Sequence, residues 1–186
     1  MKNLSKKLTL EELAILKSLV GQEFKYVGGP NASEFLVSDQ FVIGGSSSSV
    51  TIHGDVEQQP LIGEFEECSH FVVRAATAEF ATATQESGNT FLLNRRGVIQ
   101  NVSVVSESLT HISGGVSDWT YESDVAIVLH TPAGAIVLRL ISLSMEAIAA
   151  EFIEDFSLAA VETPSSHFED NLLESYESKM AIRGLK

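Results

Sequence analysis

The sequence predicts an α+β protein: a predominantly antiparallel β meander, or a curved, barrel-like sheet, packed with one N-terminal helix and two C-terminal helices. Three observations predict it. A capped amphipathic segment opens the chain, the hydrophobic period falls to two between Gln22 and Ile141, and helical spacing returns after Ser144. The 186 residues suit one domain, 1–186, large enough to bury roughly 70% of the surface its unfolded chain exposes.

Taken in order, Thr9 and Glu12 form a Thr-x-x-Glu capping box for a helix over Leu10–Val20, and Gly21 supplies the left-handed stop. Leu10, Leu13, Leu16, Leu19 and Val20 make an apolar stripe that must lie on a sheet. Strand-like runs follow at Glu23–Val27, Glu34–Val37, Gln40–Ile43, Ser49–His53, Ser69–Phe80, Thr90–Asn94, Val98–Glu107, Asp124–Thr131 and Ala135–Ile141. Separators rich in Gly, Ser, Asn and Pro divide them, and connections this short force antiparallel neighbours.

The clearest hairpin is Val125–Ile141, where Pro132 presets a type I turn and Gly134 can take the positive φ that follows. Both of its strands are apolar on both faces, so the hairpin is expected to be central and covered on each side. Beyond it, Ser144 caps an expected helix over Met145–Phe156. Ser166 and Glu169 then open an expected helix reaching Ile182, along which Phe168, Leu172, Tyr176 and Met180 recur at every fourth residue.

The formal net charge is −13, and it is unevenly spread. Between Tyr26 and Val73 no Lys or Arg faces seven acidic residues, and between Leu140 and Ser178 none faces nine. Such segments repel nucleic-acid phosphates and anionic membranes, so the expected partner is a basic protein, with no nucleic acid and no membrane. The lone Cys68 cannot form an intramolecular disulfide, which points to a reducing, cytoplasmic setting. Glu11, Glu12 and Lys17 interrupt what a signal peptide would keep apolar.

No phosphate-binding loop, nucleophile elbow, dinucleotide fingerprint or paired cysteine motif is present, so no catalytic residue, cofactor or metal is assigned. Glu64, Glu66, Cys68 and His70 would share one strand face, yet neighbours there are roughly 7 Å apart and four cannot reach one ion. His53 and Asp55 flank Gly54 as a similar pair. His130, before the Pro132 turn, and His111, before Ser113-Gly114-Gly115, are placed where a pocket mouth would use an imidazole. Arg95 and Arg96 sit at a turn where a guanidinium can anchor an anion, and Trp119 follows a Gly-Gly loop as binding aromatics often do.

The reading chosen from these residues is a non-catalytic protein-binding module of the inhibitor or immunity type, with His130, His111, Trp119, Arg95, Arg96, Glu66 and His70 as ligand or partner candidates. The alternatives are a small-molecule-binding protein or enzyme with a pocket in the curved sheet, and a structural or assembly subunit joined through edge strands and the last helix, whose row Phe168, Leu172, Tyr176 and Met180 could dock in trans.

Overall fold

Why the larger sheet forms is clearest at its centre, in two strands that bury both faces. The computed structural model describes residues 2–29, 36–61, 64–86, 90–91, 97–142, 144–163 and 174–185. In chain order its elements are β1 (Lys2–Lys6), α1 (Leu10–Lys17), β2 (Tyr26–Gly28), β3 (Val37–Ser38), β4 (Gln40–Gly44), β5 (Ser49–Leu61), β6 (Glu64–Ala75), α2 (Ala78–Glu86), β7 (Thr90–Phe91), β8 (Asn101–Ser113), β9 (Val116–Thr131), β10 (Gly134–Leu140), β11 (Ile148–Ile153) and β12 (Glu174–Leu185). A 3-10 turn lies at Leu158–Ala160.

The strands form a seven-stranded sheet, β12-β8-β9-β10-β11-β3 with β1 beside β9, and a five-stranded sheet, β6-β5-β4-β2-β7. Among the described residues the strand pairings are antiparallel except β1 with β9. The chain passes between the two sheets four times, from β1 to β2, β2 to β3, β3 to β4 and β7 to β8. β3 runs through Asp39 into β4, and residues 97–99 bond to residues 22–24 just before Gln100 N–H donates to the His130 carbonyl at 2.8 Å to open β8. The result is a mostly antiparallel sheet curled into a half-barrel.

The curl encloses one apolar core. Val27, Phe41, Ile43, Ile52, Phe71 and Val73 from the smaller sheet meet Val102, Val104, Ile127, Leu129, Ile136 and Leu138 from the larger, with Leu16 and Leu19 of α1 closing the end. On the opposite face of β9 and β10, Val105, Ala126, Val128, Ala135 and Val137 are buried beneath Ile153, Phe156, Leu158 and Val161. The hairpin is thus covered on both sides, with Gly134 at φ +135°.

Helix α1 keeps its capping box, and Glu12 does more than cap. Its carboxylate also accepts from the Val73 amide on the outer edge of β6 at 3.0 Å. The stripe, however, is narrower than expected: Leu10 is 87% exposed, whereas Leu16 and Leu19 are fully buried.

The two C-terminal helices are a correction. The segment 145–156 contains β11, paired with β10 from Ala135↔Ile153 to Leu140↔Ile148. Its apolar spacing satisfied both periods, and a strand buried on both faces cannot leave its edge unpaired, so tertiary pairing overrode helix propensity. Residues 174–185 are likewise strand, paired with β8 over twelve residues. Tyr176 and Met180 are four apart, an even number, so they share a strand face as readily as a helix face. Residues 164–173, including Phe168, Leu172 and the Ser166–Glu169 capping box, lie outside the described residues, as do 34–35 and 92–94 of two expected strands.

Other boundaries shift too. The strand expected over Ser69–Phe80 ends at Ala75, because Thr77 accepts from the Phe80 amide and starts α2, which buries Ala81 and Thr84. Residues 108–123 extend β8 and β9 through a two-residue turn at Gly114 (φ +55°) and Gly115 (φ +80°), as a tight hairpin requires.

Where that long ribbon bulges, between Val105 and Ser106, Asp124 is 1% exposed. It accepts from Leu8 N–H at 2.8 Å, from Ser106 Oγ at 2.5 Å and from the Arg183 guanidinium at 2.9 Å. One carboxylate therefore ties the approach to α1, β8 and β12 together. Asp124→Ala is expected to cost about 3 kcal/mol, because the buried Leu8 amide, the half-buried Ser106 hydroxyl and a cation lose their acceptor. Arg183→Ala should cost less, about 2 kcal/mol, since Asp124 loses its cation but keeps the Leu8 and Ser106 donors. Urea denaturation checks the order, and equal losses would refute this account.

Candidate functional site

Two surface depressions open near the two ends of β11. The first, a cleft of about 210 Å³, is lined by Asp39, His53, Asp55, Arg74 and Glu146 around Gly54. It exists because β5 runs close against the chain entering β11. Gly54 N–H donates to the Asp39 carbonyl at 2.9 Å, and a Cβ on Gly54 would stand 2.0 Å from the Glu146 carbonyl oxygen. Only glycine permits that approach. The consequence is electrostatic: Asp39 and Asp55 come from one stretch of the sequence without Lys or Arg and Glu146 from the other.

His53 is held below its ordinary value by burial first and then by the Arg74 charge, with Asp39 and Asp55 opposing. His70 places Nε2 3.9 Å from Asp55 on the adjoining strand. Among the described residues no three His, Cys, Asp or Glu side chains converge on a point where a metal ion would sit.

The second depression is an open groove of about 820 Å³ along the β9–β10 turn, lined by His130, Pro132, Glu154, Asp155, Phe156 and neighbouring backbone. His130 is at its wall, 3.0 Å from Ser103 Oγ and edge-on to the Phe156 ring at 5.5 Å. Burial lowers its pKa, which keeps the ring neutral near pH 7. No carboxylate stands within hydrogen-bonding reach of it among the described residues.

The other sequence candidates separate. His111 is 1% exposed, stacks on Trp119 (5.4 Å) and meets the tilted Tyr176 ring at 5.1 Å, with Nδ1 3.5 Å from Asp118. Trp119 is 6% exposed and packs with Leu109, Tyr121 and Cys68. These two residues hold the distal ribbon against β6 and line neither depression. Arg95 and Arg96 lie outside the described residues, as does the side chain of Glu66.

Sequence reasoning missed Asp39, Arg74, Glu146, Glu154, Asp155 and Phe156 as site residues. One cue was present for the cleft, a glycine inside the strand pattern between His53 and Asp55, which signals close approach of another backbone. The groove had none, because it depends on β11 being a strand. No family model, no curated protein and no solved structure matches the chain.

Gly54→Ala is expected to cost about 2 kcal/mol, since the methyl must displace backbone rather than a side chain. The accompanying loss of the β5 contact should appear as faster amide exchange at Gly54 and Asp55. Wild-type exchange in a folded variant would contradict the geometry.

The histidines also set a pH dependence. His130 and His53 have folded values below the ordinary 6.5, so the unfolded chain takes up protons first as pH falls. Stability is therefore full above about 6.5 and declines below it until the folded groups titrate. Glu12 acts lower down: burial raises its carboxyl, but hydrogen bonds from the Val73 and Thr9 amides outweigh this and leave it below 4.5. Its contribution is present above 4.5 and lost as pH falls through the folded value. His130→Gln, which stays neutral, should flatten the drop in urea midpoint between pH 7 and pH 5, and an unchanged slope would refute the assignment.

Proposed function

We propose that this chain is a non-catalytic protein-binding module that presents an acidic surface to a basic partner, in the manner of an inhibitor or immunity protein. The observation that carries the reading is the meeting of Asp39, Asp55 and Glu146 at one cleft. From there β11 runs roughly 20 Å to Glu154 and Asp155 at the groove, so the carboxylates flank a single strand.

Several of the chain's own cations are already used. Lys6, Lys7 and Lys25 pair with Glu57, Glu122 and Glu23, Arg139 bridges Glu151 and Glu162, and Arg183 meets Asp124. Arg74 is the positive charge within the cleft. The face left over favours a cationic protein and would steer it in at low salt. The interior of the curl is filled by side chains with no measurable exposure, such as Ile127, Leu129 and Ile136. That filling favours surface recognition over an enclosed ligand.

A second reading, a small-molecule site, rests on the groove at His130 and Phe156. Metabolite thermal-shift screening separates the two, because a specific ligand raises the midpoint with concentration.

The protein-binding reading is tested by affinity capture with wild type and with Asp55→Lys/Glu146→Lys in parallel. A basic protein should be recovered stoichiometrically at low salt, fall away at high salt and be lost with the double variant. Recovery of no such partner, or equal recovery by both baits, would sink the proposal.

A further inference from the structure

The edge of a sheet is a row of outward N–H and C=O groups that will pair with another strand unless something guards it. On the smaller sheet the guard is visible. The edge of β6 gives its Val73 amide to Glu12 at 3.0 Å and its Ser69 carbonyl to the Tyr121 hydroxyl at 3.4 Å. The edge of the larger sheet is different. β12 is twelve residues long, is paired with β8 throughout, and has no strand on its outer side among the described residues.

Its charges do not guard it. Arg183 is turned to the buried Asp124. Glu177 and Lys179 are exposed, two residues apart on one face of β12, and have no ion-pair partner among the described residues. Like charges at an edge repel a second copy of themselves. A Glu and a Lys flanking one residue do the opposite, because antiparallel pairing about a two-fold axis at that residue sets each against its complement.

We propose that β12 is a self-association edge, on which a second copy of this chain pairs antiparallel through its own β12 with Ser178 opposite Ser178. In this register Glu177 of each copy faces Lys179 of the other, twice. On the opposite face of the strand, Tyr176 meets Met180 of the second copy, again twice, a sulfur–aromatic pairing suited to both side chains. Both are anchored on their own subunit, Tyr176 against His111 and Trp119, and Met180 beside the Val105 cluster. Residues 174–182 take part, and the two seven-stranded sheets become continuous. Ser178 keeps its hydrogen bond to Glu107 within each subunit.

The test is sedimentation velocity over a concentration series reaching on the order of 100 µM, with unfolding midpoints confirming that each variant folds like wild type. Wild type should sediment as a dimer at the upper end. Lys179→Glu, which sets Glu against Glu twice, should weaken association roughly tenfold or more. Glu177→Lys/Lys179→Glu, which exchanges the charges and restores the complement, should bring the dimer back. A wild type that stays monomeric overturns the proposal, and so does a dimer indifferent to Lys179→Glu. Failure of the exchanged pair to recover the dimer overturns it as well.

Discussion

Burial of the β9–β10 hairpin on both faces is the constraint on which the rest of the structure depends. A run such as Val125-Ala-Ile-Val-Leu129 has no face to give to water, so the chain must build a layer on each side of it. On the inside, the smaller sheet curls over and contributes Phe41, Ile43 and Ile52, while α1 stops the open end with Leu16 and Leu19. On the outside, the segment following β11 crosses back and lays Phe156, Leu158 and Val161 over Val128 and Val137. The hairpin's edges are as demanding as its faces, and that demand makes 148–153 a strand.

Polar groups in this frame work where the regular ladders break. At the bulge before Val125, Asp124 supplies the acceptor that Leu8, Ser106 and Arg183 need. At the outer edge of β6, Glu12 offers a helix-borne carboxylate to a strand amide. Each side chain links segments far apart in sequence. Both are placed by local features, a bulge and a capping box, that have no long-range purpose of their own.

Placement, not composition, turns the surplus of acid into a candidate surface. Two sequence stretches without a Lys or Arg, separated by most of the sheet, meet because Gly54 lets β5 lie against the chain at Glu146. Elsewhere acids are spent on neighbouring lysines and arginines, as with Glu57, Glu122 and Glu151. The histidines illustrate the same point. His130 and His111 both precede turns in the sequence, yet one borders a groove and the other is buried against Trp119 and Tyr176.

The sequence by itself determined the capping box at Thr9 and Glu12, the antiparallel character of the sheet, the position of the β9–β10 hairpin and the acidity. These are local patterns, readable because a cap, a turn or a two-residue period is complete within a few neighbours. Only the tertiary structure decided that 148–153 and 174–185 are strands, since their apolar spacings fit either period and long-range pairing with β10 and β8 chose between them. It alone brought Asp39 and Asp55 to Glu146, because that meeting requires two backbones to approach more closely than any Cβ allows.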